Sequence, residues 1–440
     1  MKHLLIVGAG ISGLSFAHYL LEKRPDYQIT FLEKTGRVGG WLQTCKEGGL
    51  SYEKGPRFFA KHKSPHLLSL IKTVGLEKEL LYADTSASKR WIYENKKLLP
   101  LPSSFWSFCT SPLTRGALLP LAREYFQGYL PAYFQKKPPD FEETVDAFLF
   151  RRFRSKKLIQ LTAAMAKGIY ASDIQKLSTR LSFPALVDLE KKHGSLVKGM
   201  LRQPKKDTRL FTLKGGMGTL THALQQALQK TGRVSWHFGE ELLQIEGKHA
   251  ITTSQRYLTD HMVFALPLSS IQQLFPKSPW TKLNTHSLHI VHCAWDSSIL
   301  PHKGFGYLTG GKEDTPILGA VFDSCMYGEK KGEKLSIFLG GEQAPEVATL
   351  PQKDLERLAL HSLQEHLGIA EPPTQIAFSL GKNAGVSFRV GHDQQVEKGL
   401  KSLPNHISLL GNYLQGVSVD HCIQRALQEV DHLVKKPLRR

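Results

Sequence analysis

Cysteine is scarce in this chain of 440 residues: there are five, an odd number, with no CxxC pair among them. That excludes a disulfide framework, argues against a structural zinc site, and fits a reducing compartment. Long apolar runs are also missing. The uncharged stretch from Leu98 to Thr114 is broken by Pro100, Pro102 and Pro112, so it cannot continue as a membrane helix. No HExxH helix, no Ser-His-Asp arrangement and no internal repeat occurs, and no metal site is expected. The 19 histidines are scattered, as surface or satisfied core residues are.

Acidic residues are few as well: 39 Asp and Glu against 58 Lys and Arg, a net charge of 58 − 39 = +19. Such a surplus suits nucleic acid, an anionic membrane surface or an acidic small substrate, and does not choose among them. No nucleic-acid-binding motif accompanies the charge, so that partner is not expected. With 41% hydrophobic and 22% charged residues the chain buries several cores, which excludes wholesale disorder and collagen-like classes. Lys2 and the apolar residues after it imitate a signal peptide. The apolar stretch breaks at Gly8 and Gly10 without a small-residue cleavage site, however, and reads as mature structure.

The pattern at that break is informative. His3 to Val7 is a short run, apolar from Leu4 on, as in a buried parallel strand, and from Ser12 to Lys23 Leu14, Ala17, Leu20 and Leu21 share a helical face. After a turn at Pro25-Asp26, Gln28 to Leu32 reads as a second strand, completing a βαβ unit. Gly8-Ala9-Gly10-Ile11-Ser12-Gly13 is GxGxxG in its proper place between strand and helix. Gly8 allows the tight turn, Gly10 lets a pyrophosphate approach the backbone, and Gly13 lets the helix pack closely. Glu33 ends the second strand, where a carboxylate takes two ribose hydroxyls and disfavours a 2′-phosphate. Lys34 follows it. Arg37-Val38-Gly39-Gly40-Trp41 comes next, and a glycine pair there lets the chain lie along the cofactor's phosphates.

Further along, residues 64–82 read as a helix entered through Ser64-Pro65 with a stop at Gly75. Beyond Arg90, Phe105, Trp106, Phe108, Tyr125, Phe126, Tyr129, Tyr133 and Phe134 stand among prolines. From Lys136 to Arg209 there are 17 Lys and Arg against 8 Asp and Glu, densest at Arg151 to Lys157, so nearly half the net charge lies in one sixth of the chain. A helix follows Gly215-Gly216-Met217-Gly218, with short strands at Val234–Phe238, Leu242–Ile245 and His261–Leu266. β alternation runs over 284–342, then a helix over Lys353–Leu367, a strand over Ile407–Leu410 and a helix over Asp420–Val434.

GxGxxG, then Glu, then RxGG resembles the glutathione-reductase-like flavoproteins, specifically their amine-oxidase-like branch. With Gly55-Pro56-Arg57 and the terminal Gly411-Asn412-Tyr413-Leu414-Gln415-Gly416-Val417-Ser418-Val419, the whole chain resembles the oxygen-dependent, FAD-containing protoporphyrinogen oxidase family, which includes coproporphyrinogen III oxidases. The resemblance implies an α/β fold: a Rossmann-like FAD-binding domain (1–85, 205–268 and 375–440), a helical, basic and aromatic membrane-associated insertion (86–204), and an α+β substrate domain whose β-rich part spans 269–374.

It also implies site residues. The cofactor contacts would be Gly8, Ala9, Gly10, Ile11, Ser12, Gly13, Glu33, Lys34, Arg37, Gly40, Trp41, Gly55, Pro56, Arg57, Phe58, Leu242, Asn412, Val417, Ser418 and Val419. On the substrate side Arg90 would pair with a propionate, Gly168 would leave room for a flat macrocycle, and Leu308, Val321 and Phe338 would hold its rings against the flavin. Read singly, Arg57 is equally an ion-pair partner, Arg90 a surface arginine, and the three apolar residues ordinary core.

The implied reaction removes six electrons from a porphyrinogen by repeated hydride transfer to flavin N5, with dioxygen as acceptor and hydrogen peroxide as product. No catalytic acid or base is called for, because the oxidised bridge loses pyrrole protons readily. An anionic membrane surface would help collect an amphipathic substrate, placing a cytoplasmic enzyme peripherally on the inner membrane, and a homodimer is compatible with the chain. The competing readings are a carotenoid desaturase or amine oxidase of the same superfamily, and a non-catalytic porphyrin carrier. Cys422, inside a helix rather than before the flavin motif, argues against a cysteinyl tether of the amine-oxidase kind.

Overall fold

The first apolar run forms strand β1 (Lys2–Val7), and helix α1 (Ile11–Lys23) with strand β2 (Tyr27–Glu33) completes the βαβ unit. The computed structural model describes residues 2–102, 107, 110–114, 116–127, 142–204, 206–311, 313, 315–328 and 332–435. Phe105, Trp106, Phe108, Tyr129, Tyr133, Phe134, Lys136, Lys137 and the basic tail beyond Lys435 lie outside them. The chain divides into two units, described separately.

Unit one comprises Met1–Tyr82, Thr208–Leu283 and Asp393–Arg440. β1 is the middle strand of a five-stranded, all-parallel sheet in the order Val234–Phe238, β2, β1, His261–Phe264, Ile407–Leu409. Central parallel strands are covered on both faces, which is why Leu4 to Val7 are all buried rather than alternating. Leu14, Ala17, Leu20 and Leu21 of α1 share one core with Ile423, Ala426, Val430 and Leu433 of the helix Val419–Lys435. Each fully buried leucine, isoleucine or valine among them contributes roughly 1.5–3 kcal/mol.

Unit two comprises Ala83–Asp207 and Asn284–His392. Its seven-stranded sheet runs in the order Gln375–Ser387, Asn284–Trp295, Glu333–Gly340, Ile317–Val321, Gly306–Thr309, Arg90–Glu94, Lys97–Pro100. One face carries Tyr93, Tyr307, Ala320, Ile337 and Val291 into a core shared with Leu355, Ala359 and Leu363 of the helix Gln352–Leu367. A second cluster, with Phe148, Leu149, Leu189 and Leu196, joins the helices Val145–Phe153, Pro184–His193 and Leu196–Arg202.

Three expectations change. The helix expected over 64–82 ends at Thr73; Gly75, at φ +76°, reverses the chain, and Leu80–Tyr82 becomes a strand paired with Leu210–Leu213. The start of the expected helical insertion is a β-hairpin, Arg90–Glu94 with Lys97–Pro100, turned by Asn95 and Lys96 in left-handed conformation. Residues from 375, expected in the cofactor domain, instead form the strand that pairs with Asn284–Trp295 in unit two.

The basic run is not a free face either. Arg151 pairs with Glu143 at 2.7 Å and Glu190 at 2.6 Å, Lys157 pairs with Glu94 at 3.1 Å, and Arg152 is buried against Glu124. Glu124 itself accepts the Leu196 and Val197 N–H groups and the Ser195 hydroxyl, closing the start of the Leu196–Arg202 helix. Only Arg154 and Lys156 of the run's basic residues are exposed. No described helix is long and apolar enough to cross a membrane.

Candidate functional site

Between β1 and α1 the chain must turn sharply and then bring a helix against the sheet. Gly8 turns at φ +98°, and a Cβ there would lie 2.4 Å from the Ala265 carbonyl oxygen. A Cβ on Gly13 would lie 2.4 Å from the Gly8 carbonyl oxygen. Gly10 differs: a Cβ on it would meet only the Gly40 Cα, at 3.9 Å, so the space beside it is open. The Gly39 N–H donates to the Ala9 carbonyl at 2.8 Å, and Gly10 and Gly39 form a parallel bridge. The two glycine motifs are therefore pinned to each other. No side chain caps α1 and no acidic residue stands in its first turn, so the N–H groups at Ile11 and Ser12 lie at a positive helix end that suits a phosphate.

Glu33 ends β2 beside this turn. Its Oε2 accepts the Ala9 N–H at 2.9 Å; its Oε1 accepts both the Thr35 N–H, at 2.9 Å, and the Thr35 hydroxyl, at 2.8 Å. Oε2 thus keeps a lone pair for a ribose hydroxyl, while Oε1 is already doubly engaged. Lys34 and Gly40 are exposed. The Arg37 guanidinium donates to the Val38 carbonyl at 3.0 Å and the Gly40 carbonyl at 3.1 Å, which fixes the glycine loop; loss of solvent lowers its pKa.

The next motifs stack onto the first. A Cβ on Gly55 would lie 2.2 Å from the Trp41 carbonyl oxygen, so the Gly55-Pro56-Arg57 turn sits directly on the Gly40-Trp41 backbone. Trp41 is 39% exposed and Pro56 is exposed. Arg57 is buried and donates to the Glu53 carbonyl at 3.1 Å; Phe58 beside it is half-buried. Glu53 Oε1 accepts the Met217 N–H at 3.0 Å and the Thr44 hydroxyl at 2.7 Å, and Thr44 accepts the Gly218 N–H at 3.0 Å. Thr44 and Glu53 so close the start of the Gly218–Lys230 helix, a role that no local motif signals.

Asn412, Val417 and Ser418 are half-buried in the loop leading to Val419, where Ser418 accepts the His421 N–H at 3.1 Å and caps the last helix. Leu242 starts a strand in a separate three-stranded sheet of unit one.

In unit two the sheet register brings the other candidates together. Arg90 pairs with Gly306 and Gly306 with Val321; Leu308 pairs with Gly319 and Gly319 with Phe338. Cross-strand partners share a face and so do residues two apart, so Arg90, Leu308, Val321 and Phe338 all lie on the face opposite the core. Gly306 and Gly319 between them add no side chain. Arg90 is exposed, its guanidinium 5.9 Å from the Phe305 ring centroid.

Gly168 does not leave an open slot. A Cβ there would meet Leu308 Cδ2 at 2.2 Å, so its missing side chain lets the helix Lys156–Tyr170 close onto Leu308. Beside this face, Ser336 donates to Asp323 at 2.5 Å and so accepts from His292 Nδ1 at 2.8 Å, while His292 Nε2 lies 3.0 Å from the Ser379 hydroxyl, a buried polar chain without a sequence motif.

The family model for flavin containing amine oxidoreductases matches residues 11–434. The chain belongs to that family. It is an FAD-dependent oxidoreductase, and the open glycine cradle, uncapped helix start and the spare lone pair on Glu33 fit that cofactor. Protoporphyrinogen oxidase of Bos taurus is 29% identical to it over 97% of both chains. Coproporphyrinogen III oxidase of Bacillus subtilis is 25% identical over 96% of both. A crystal structure from Exiguobacterium sp. 255-15, whose own assignment as a protoporphyrinogen oxidase is provisional, superposes with a TM-score of 0.85 at 25% identity, covering 99% of each chain.

Within this flavin oxidoreductase Cys422 makes a poor tether. It is buried in the last helix, and loss of solvent pushes its thiol up to about 11. His261 and His366, buried and hydrogen-bonded to Ser408 and Tyr307, are drawn down to about 4 by burial and stay neutral.

Proposed function

We propose that this chain oxidises a porphyrinogen, protoporphyrinogen IX in the first place, to its porphyrin in haem biosynthesis, with dioxygen as the final acceptor. The observation that carries the reading is the unit-two face on which one exposed guanidinium borders an apolar floor of Leu308, Val321 and Phe338. That combination matches a flat, largely apolar macrocycle with carboxylates on its rim. The relatives named for porphyrinogen oxidation, similar over nearly the full length, support it.

Bound FAD would supply a two-electron acceptor for the hydride of a methylene bridge, with dioxygen taking those electrons to give hydrogen peroxide. Arg90 would fork onto a propionate and set the macrocycle's register. Leu308, Val321 and Phe338 would cover its faces and keep water from the bridge. Each cycle also releases one proton to solvent. Over the three cycles two of these come from pyrrole nitrogens and one from the fourth bridge by tautomerisation of the oxidised ring, so the chain needs to orient the ring rather than supply a strong base. Repetition removes six electrons in all.

Coproporphyrinogen III is the second reading, favoured by exposed Lys89 and Lys303 beside Arg90 at the same end of the sheet, since that substrate carries more carboxylates. One experiment tests both. The holoprotein is mixed anaerobically with each porphyrinogen while flavin bleaching is followed; air is then admitted and porphyrin fluorescence read. Bleaching by neither rejects the proposal, and the faster substrate decides between the two.

We also propose peripheral contact with an anionic membrane on the cytoplasmic side. Leu119 and Leu201 are 79% and 75% exposed, Phe150, Ile169 and Met200 are exposed too, and Arg123, Arg154 and Arg202 stand near them in sequence. Leu119→Glu and Leu201→Glu should weaken co-sedimentation with anionic vesicles; unchanged sedimentation rejects the contact.

A further inference from the structure

The helix Pro65–Thr73 begins just after the Gly55–Phe58 motif, and its own Ser64 makes no side-chain cap. The missing acceptor comes from the other end of the chain. Asp420 Oδ1 accepts the Leu67 N–H at 2.8 Å, and Asp420 Oδ2 lies 2.9 Å from His66 Nδ1. Asp420 is buried, at 5% exposure, and is the second residue of the helix Val419–Lys435, immediately after the Asn412–Val419 loop. A single carboxylate therefore ties the helix after one candidate flavin segment to the end of another. His421 is held close by as well: a Cβ on Gly416 would strike its ring at 2.2 Å, so the loop and the helix start fit each other tightly.

We propose that Asp420 is a positioning residue for FAD, holding the Asn412–Val419 loop in register with the Gly55–Phe58 turn through Leu67 and His66. It touches neither substrate nor flavin in this role. Its Oδ1 is 353 residues distant in sequence from the Leu67 amide it caps, and Ser64 at the start of that helix does not take its place. The inference rests on those two segments being flavin contacts. A wild-type titration with FAD checks that premise first, since a chain that takes up no flavin fails before any variant is compared.

The test measures FAD dissociation from the full-length protein by flavin fluorescence, together with thermal unfolding of the apoprotein and the flavin absorption band of the holoprotein. Asp420→Ala is expected to weaken FAD by about tenfold or more, as loss of both hydrogen bonds that tie the two segments would, and to broaden or shift the flavin band. Asp420→Asn keeps an acceptor for Leu67 and a group that can face His66, and should restore both readouts to near the wild-type values. His66→Phe, which removes one arm only, should fall between. An unchanged FAD affinity in a folded Asp420→Ala protein overturns the proposal, even if the apoprotein melts lower, because a merely structural cap would do only that. Should Asp420→Ala fail to fold, Asp420→Glu carries the test: it retains the charge but displaces it, so weakened FAD supports the proposal and wild-type affinity overturns it.

Discussion

A Cβ built on Gly40 would come within 3.2 Å of the Gly10 Cα, and Gly40 itself stands at φ +57°. Two glycines from different motifs thus meet backbone to backbone, and together they leave the space that a diphosphate needs. Gly13 is constrained by packing alone, because its hydrogen faces the Gly8 carbonyl oxygen.

These two kinds of constraint predict different outcomes. Gly13→Ala should cost about 1–3 kcal/mol of apoprotein stability by overpacking. Gly40→Val should cost less stability than FAD affinity, with binding weakened by about tenfold or more. Thermal unfolding of the apoprotein and FAD titration separate them; a Gly40→Val protein with wild-type FAD affinity would contradict the cradle.

The buried pair of Arg152 and Glu124 should matter to the fold, not to any surface. Removing either partner leaves the other charge buried, so Arg152→Ala or Glu124→Ala should lose about 3–5 kcal/mol in denaturant unfolding. A loss below about 1 kcal/mol would show that the pair is not buried in solution.

Gly168 and Leu308 should behave as a coupled pair. Gly168→Ala pushes a methyl group into Leu308 and should raise KM for a porphyrinogen while lowering stability by about 1–3 kcal/mol. Leu308→Ala removes the clash, so the double variant should recover part of both losses. Strict additivity in a double-mutant cycle would refute the contact.

Acid should weaken unit one and unit two through their buried histidines. His261 and His366 have pKa values of about 4 in the fold, against roughly 6.5 unfolded. Between those values the unfolded chain binds protons that the native one does not. Stability is therefore complete above about pH 6.5 and declines as pH falls toward about 4. Thermal unfolding across that window should show the decline, and His261→Asn should make it shallower; an identical acid limb in that variant would exclude the mechanism.

The cofactor cradle was legible because its physics is local. Gly8 to Trp41 is one continuous stretch whose glycine spacing, strand, helix and terminal carboxylate each obey short-range rules, and strand 234–238 was found to the residue for the same reason. Arg90 was legible only as a member of a family pattern, since the turn at Asn95-Lys96 lacks the usual glycine and the hairpin was hidden. Gly168 was read as space, because a sequence cannot say which side chain moves into the gap a glycine leaves.

By itself the sequence determined the flavin-binding start of the chain, its family and its overall basicity, all properties of residue type and short spacing. Tertiary structure decided that Arg151 and Arg152 are neutralised by carboxylates on other segments, that Arg90 shares a face with Phe338, and that Asp420 caps a helix near the opposite end. Those pairings depend on which surfaces exclude water together, and linear order carries no record of that.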